Sequence, residues 1–305
     1  MSQRTIWIPA TTPRECRELL PTGIDLREVP AIGPISDAPQ HADMLINAYD
    51  PQRAIEVIPQ LRNLDVVQVL SAGVDVIAPH IPSGVTLCDG SGIHDASVAE
   101  WVVMATIAMR RGLPDHIRSQ LEQSWNFMSG ADLEGASVLI VGHGSIGRAV
   151  ESRLRPFGAR IVRVARRARD GVHTIAELPK LLPEADVVVL LVPLTDETRG
   201  MVDSNFLNSM REGALLVNAA RGPVVDTAAL LDALRGEHIR AALDVTDPEP
   251  LPDGHPLWSA PGLLITPHIG GAVQQLFTRA WRFAGEQVRR YIDGEPLRNV
   301  VSEGY

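Results

Sequence analysis

The sequence predicts an α/β protein built of two doubly wound domains, and three observations carry that expectation. The chain has 305 residues, enough for two domains that each bury a core. From about residue 135 onward, apolar β-type runs alternate with stretches of helical spacing, the pattern of right-handed βαβ crossovers and a parallel sheet. Where the first of these strands passes into its helix stands a glycine-rich turn, Gly142-His143-Gly144-Ser145-Ile146-Gly147.

The elements follow in order. Residues 1–97 hold short βα units, with strands expected at Thr5–Ile8, Met44–Ile46, Val66–Leu70 and Val85–Cys88. Ser97-Val98-Ala99-Glu100 has the form of a capping box and predicts the start of a long helix over the apolar run Trp101–Met109. The stripe Trp101, Val102, Ala105 on that helix is read as buried packing. Then come a strand at 137–142, a helix at 146–157, a strand at 160–165, a helix at 175–182 and a buried strand at 186–192. A helix at 204–210, a strand at 214–219, a helix at 226–236 and strands at 239–245 and 262–267 complete the alternation. Residues 271–293 are helix-compatible and are expected to cross back to the first domain. One domain is therefore expected to comprise 1–97 and 271–305, and the other 98–270.

Composition narrows the function classes. Hydrophobic residues make up 45% and charged residues 21%, ordinary for a folded globular chain and far from disorder. With 28 basic and 37 acidic residues the net charge is −9, which argues against general nucleic-acid binding because that requires neutralising phosphates. Lys180 is the single lysine among the 28, a bias expected to be genome-wide except at a few sites. Two distant cysteines, Cys16 and Cys88, exclude a disulfide scaffold or zinc ribbon and fit a reducing compartment. The first residues lack an apolar leader and no apolar run has membrane-spanning length, so a cytoplasmic protein without a membrane partner is expected.

The glycine turn points to a dinucleotide. Its glycines permit a tight turn, close approach of backbone to pyrophosphate, and close packing of helix on strand, while the helix N-terminus offers free N–H groups to phosphate. The next strand decides which dinucleotide. An NAD-selecting site ends that strand with an acid for the ribose hydroxyls. Here the end reads Arg163-Val164-Ala165-Arg166-Arg167, with Ala165 at the acidic position. Guanidinium groups fork onto a 2′-phosphate that a carboxylate would repel, so the sequence favours NADP, with NAD as the alternative.

Three later loops collect redox chemistry at the carboxyl ends of their strands: Arg221 after 214–219, Glu249 after 239–245 and His268 after 262–267. A cation for a carboxylate, a proton donor and a group to steady that donor suit hydride transfer to a 2-keto acid.

These segments resemble those of D-2-hydroxyacid dehydrogenases. The resemblance runs from about residue 71 through SAGVD (71–75), SVAE (97–100), GHGSIG (142–147), VPLTDETRGMVD (192–203), NAARGPVVD (218–226), LDVTDPEPLPDGHPLW (243–258) and TPHIGG (266–271). It implies a Rossmann dinucleotide-binding domain inserted in a flavodoxin-like substrate domain. It also implies that Arg221 binds the substrate carboxylate, that His268 is the general acid/base, and that Glu249 pairs with it. Asp244 is matched to the residue that holds the nicotinamide carboxamide, Ala72 and Gly73 to the backbone N–H pair for the substrate carboxylate, and Pro193 and Thr195 to the loop bordering the adenosine. Ala219 and Gly270 join the implied cofactor contacts, and a homodimer is the implied assembly. Two departures stand out. Ala165 resembles the family's NADP-using glyoxylate and hydroxypyruvate reductases, and His94 stands where many members carry asparagine, beside the substrate. The expected activity is NADP(H)-dependent interconversion of a small 2-keto and D-2-hydroxy acid. The alternatives are a dinucleotide-sensing corepressor-like scaffold and a formate- or phosphite-type dehydrogenase. His143 is expected as an exposed turn residue near the pyrophosphate.

Overall fold

The computed structural model describes residues 3–35 and 40–301. The chain forms two compact units, one of Met1–His94 and Val273–Tyr305, the other of Asp95–Ala272.

The first unit opens with strands β1 (Thr5–Pro9), β2 (Asp25–Val29), β3 (Gln40–His41), β4 (Met44–Asn47), β5 (Leu61–Arg62), β6 (Val66–Val69) and β7 (Thr86–Cys88), and with short helices α1 (Arg14–Arg17) and α2 (Pro51–Val57). Five strands make a parallel sheet in the order β2-β1-β4-β6-β7, while β3 and β5 pair separately. With that small pair set aside the order is the flavodoxin-like 2-1-3-4-5, whose switch point lies between β1 and β4. Alternation builds a core on both faces: Ile6, Ile8, Met44 and Ile46 pack on one side, Trp7, Leu45 and Val67 on the other. β2 has no counterpart among the sequence-predicted strands. Asp25-Leu26-Arg27-Glu28-Val29 carries three charges, and as an edge strand it pairs only with β1, so it needs no continuous apolar run.

The second unit begins with α3 (Asp95–Arg110) and α4 (Leu113–Leu121) and continues β8 (Ser137–Val141), α5 (Ser145–Leu154), β9 (Arg160–Ala165), β10 (His173–Thr174), α6 (Leu178–Leu181), β11 (Val187–Leu190), α7 (Ser204–Ser209), β12 (Leu215–Asn218), α8 (Thr227–Arg235), β13 (Arg240–Leu243) and β14 (Leu263–Ile265). Its seven strands are parallel in the order β10-β9-β8-β11-β12-β13-β14, the Rossmann order with one strand added. Each central strand is buried on both faces. Leu139, Val141, Val188 and Leu190 enter one apolar layer, and Val138, Ile140, Val187 and Val189 the other. The long helix starts two residues before the expected cap. Asp95 opens its first turn, and Ser97 is buried inside the helix, so Ser97 and Glu100 do not form a terminal capping box. The helix after the glycine turn ends at Leu154 and passes into a 3₁₀ turn over Arg155–Phe157, where Pro156 cannot continue the α-helical ladder.

The chain returns to the first unit through α9 (Leu276–Asp293), which buries Trp281, Ala284 and Val288. Residues 271–275 form turns instead of the helix expected there. Among the described residues no helix is long and apolar enough to cross a membrane.

Candidate active site

The glycine turn leaves the carboxyl end of β8, beside the switch point of the seven-stranded sheet between β8 and β11. Gly142 has φ 107°, and a Cβ there would lie 2.5 Å from the Leu191 carbonyl carbon, so only glycine fits between these strand ends. Gly144 differs: a Cβ built on it meets nothing within 4 Å. That open space lies at the N-terminus of α5, where helix N–H groups present a positive end to a phosphate. The donor set and the space both fit a pyrophosphate. Ala165 ends β9 half-buried, and Arg166 and Arg167 follow it exposed.

The loop after β11 holds Pro193 and Thr195 through a residue that its sequence does not single out. Thr198, itself buried, donates its hydroxyl to the Pro193 carbonyl at 2.6 Å and accepts the Thr195 N–H at 2.9 Å. Ala219 follows β12 and donates its N–H to the Leu190 carbonyl at 3.3 Å. Asn218 shapes the turn beyond it, accepting the Ala220 N–H and donating to the Arg221 carbonyl, both at 3.0 Å. Arg221, half-buried, donates from Nη1 to the Ala220 carbonyl at 2.9 Å. A Cβ on Gly222 would sit 1.9 Å from the Thr246 carbonyl oxygen, which shows how closely the loops after β12 and β13 approach.

Glu249 and His268 meet directly. His268 Nδ1 lies 2.6 Å from Glu249 Oε1, and both side chains are partly exposed. With the carboxylate ionised, Nδ1 carries the hydrogen and Nε2 is left for another partner. His268 has φ 54°, a left-handed backbone that a non-glycine residue adopts at a cost. Asp244 holds it there. This buried aspartate accepts the Thr266 hydroxyl at 2.6 Å and the Ile269 N–H at 2.8 Å on Oδ1, and the Gly270 N–H at 2.7 Å on Oδ2. Its backbone carbonyl also takes the His268 N–H at 2.7 Å. Three side-chain bonds leave Oδ2 with capacity for one more donor. Trp101 supports the arrangement by donating Nε1 to the Thr266 hydroxyl at 3.0 Å.

One expectation is overturned. His143 is buried, at 8% exposure, because Nε2 meets Glu151 Oε2 at 2.6 Å and Arg169 donates to its carbonyl at 2.7 Å. Burial pushes its pKa down, against the pull of Glu151.

In the first unit, Ala72 and Gly73 lie in the half-buried bend after β6, where the Ser71 hydroxyl donates to the Gly73 carbonyl at 2.9 Å. His94 Nε2 is 3.0 Å from the Leu70 carbonyl, and its ring meets Tyr49 edge-on at 6.1 Å. Tyr49 and Phe277 border a cavity of about 330 Å³ beside the carboxyl ends of β1, β2 and β4, and burial pushes the Tyr49 hydroxyl up to about 12.

Residues 103–270 match the model for the D-isomer specific 2-hydroxyacid dehydrogenase, NAD binding domain. The glyoxylate reductase of Thermofilum pendens is 35% identical over 265 residues, covering 81% of this chain and 78% of that protein. The chloroplastic/mitochondrial formate dehydrogenase of Arabidopsis thaliana is 31% identical over 266 residues, covering 82% and 69%. Among solved structures, a D-isomer specific 2-hydroxyacid dehydrogenase from Xanthobacter autotrophicus Py2, in complex with NADPH and MES, matches with TM-score 0.86 at 30% identity, covering 99% of this chain and 98% of that one.

Proposed function

Since the chain belongs to the D-isomer specific 2-hydroxyacid dehydrogenase family, oxidoreductases that move hydride between NAD(P) and small 2-keto or 2-hydroxy acids, we propose that it is an NADPH-dependent reductase of glyoxylate/hydroxypyruvate type. The Glu249–His268 pair carries the proposal. A bound reduced nicotinamide supplies hydride to the keto carbon. Protonated His268 delivers a proton from Nε2 to the carbonyl oxygen, and the carboxylate on Nδ1 fixes the tautomer and steadies the imidazolium. Arg221 binds the substrate carboxylate and polarises the carbonyl. The family resemblance also assigns substrate-binding roles to Ala72, Gly73 and His94.

The cofactor assignment extends to named positions. Gly142, Gly144, Ser145, Ile146 and Gly147 cradle the pyrophosphate, while Pro193, Thr195 and Ala219 border the dinucleotide. Asp244, whose Oδ2 already accepts the Gly270 N–H and has capacity for one more donor, would hold the nicotinamide carboxamide. The choice of NADP rests on Ala165 in the acidic position and on the exposed Arg166 and Arg167. The Xanthobacter relative is itself described in complex with NADPH.

A cytoplasmic homodimer completes the proposal. Trp125 is fully exposed, Phe127 89% and Leu121 79%, an apolar surface that a second copy of the chain would cover. Two free, buried cysteines fit a reducing compartment.

The test is nicotinamide oxidation with a panel of 2-keto acids, each run with NADPH and with NADH. The expected result is turnover of glyoxylate or hydroxypyruvate with kcat/KM higher for NADPH. Turnover with neither cofactor sinks the enzyme assignment, and a preference for NADH sinks the reading of Ala165 and Arg166.

A further inference from the structure

Glu151 is a buried carboxylate on α5 that the reaction does not use, and three segments converge on it. From its own helix end, Arg155 donates Nε at 2.8 Å and Nη2 at 2.5 Å to Oε1. From β9, Arg163 forks onto both oxygens, Nε to Oε2 at 2.8 Å and Nη2 to Oε1 at 2.6 Å. From the glycine turn, His143 Nε2 reaches Oε2 at 2.6 Å. Hydrogen bonds from Arg163 first, opposed by burial, hold the carboxyl far below the ordinary range. The cluster reaches past β9. Arg163 Nη1 donates to the Gly171 carbonyl at 3.3 Å. Arg169 Nη2 donates to the His143 carbonyl at 2.7 Å and approaches His143 Nδ1 at 3.3 Å. The Val172 N–H closes the segment on the Arg169 carbonyl at 2.9 Å.

Residues 166–172 therefore form a strap tied to the glycine turn through Arg169 and to β9 through Gly171, with Glu151 beneath both ties. Arg166 and Arg167 stand on this strap. For stability alone, apolar side chains would serve as well as a buried ion cluster. What the cluster adds is a fixed placement of the strap's guanidinium groups relative to the turn.

We propose that Glu151, His143 and Arg169 are positioning residues that set the arginine strap against the glycine turn and so determine discrimination for the 2′-phosphate of the dinucleotide. This rests on the reading that Arg166 and Arg167 receive that phosphate. Pyrophosphate and nicotinamide are common to both dinucleotides, so a misplaced strap weakens only the ligand that carries a 2′-phosphate. A purely structural cluster would weaken both together.

The test uses calorimetric binding of adenosine 2′,5′-bisphosphate and of 5′-AMP to wild type, Glu151→Gln and Arg169→Gln, with steady-state constants for NADPH and NADH. Arg169→Gln leaves the Glu151 cluster intact and decides the matter if Glu151→Gln does not fold. In the variants, affinity for the bisphosphate falls about tenfold while that for 5′-AMP changes less than about twofold. KM for NADPH rises with kcat retained, and NADH kinetics are unchanged. A wild type indifferent to the 2′-phosphate overturns the cofactor reading itself. A wild-type preference that survives in the folded variants, or a parallel loss for both ligands, overturns the positioning role.

Discussion

At the scale of single residues, the site depends on one contact and the backbone that presents it. His268 sits on a left-handed turn whose cost is offset by Asp244, which takes two N–H groups and one hydroxyl from residues 266–270. Replacing His268 with Gln removes the proton donor and is expected to lower kcat by about 10²–10⁴-fold, with the dissociation constant for NADPH unchanged. Equal loss of turnover and cofactor affinity would contradict the assigned role. Glu249→Gln keeps the shape of the pair but removes the charge that steadies the imidazolium. Its kcat is expected to fall less than that of the His268 variant, because the amide oxygen can still accept the Nδ1 hydrogen and hold the ring in place. These residues were legible in the sequence as members of motifs. The supporting contacts of Thr198, Asn218 and Thr266, which lie within the same motifs, and of Trp101 were not legible, because each works through a partner distant in sequence or through a loop conformation that no spacing encodes.

At the scale of elements, two glycines with the same letter do different work. Gly222 lets the loops after β12 and β13 touch, and the Cβ of Gly222→Ala would fall 1.9 Å from a backbone oxygen. That variant is expected to lose at least about 2 kcal/mol of stability, read as a lower Tm together with lost activity. Gly144→Ala meets nothing in the protein, so its Tm is expected to stay at the wild-type value while KM for NADPH rises, because the methyl occupies phosphate space. The cluster on α5 gives a pH dependence. The Glu151 carboxyl in the folded protein lies below its ordinary value of 4.5, so the unfolded chain binds that proton more readily. Its stabilising contribution is complete above the ordinary value and is lost as pH falls from there toward the folded value. The Tm difference between wild type and Glu151→Gln is therefore expected to be largest near neutral pH and to narrow below about pH 4.5. A constant difference across that range would refute the linkage. Strand alternation and the doubly wound parallel class were foreseeable from periodicity and from the helices between strands, whereas the strand orders came from the structure. The edge strand β2 and the true start of α3 were not foreseeable, since edge pairing tolerates charge and Ser97 is buried where a cap would be exposed.

At the scale of the whole molecule, the exposed Leu121, Trp125 and Phe127 predict association. Light scattering is expected to give a dimer mass for the wild type and a monomer mass for Trp125→Glu combined with Phe127→Glu. A wild type that stays monomeric at micromolar concentration would remove the homodimer from the proposed function. The same comparison of scales separates what the chain declares from what folding decides. The α/β class, the dinucleotide turn and the placing of Glu249 and His268 after their strands were open to reading from the chain alone, because each depends on residue type at short spacing: period-two strands, glycines in one turn, motifs at strand ends. Only the tertiary structure decided that His143 is buried under Arg169 and that Glu151 gathers the turn, the helix and β9. It also decided that Asp244 fixes the backbone of His268. Apart from the Arg155 contact four residues along the helix, those contacts join residues from 8 to 26 positions apart, and a charged side chain's partner across such a distance is chosen by how the elements pack.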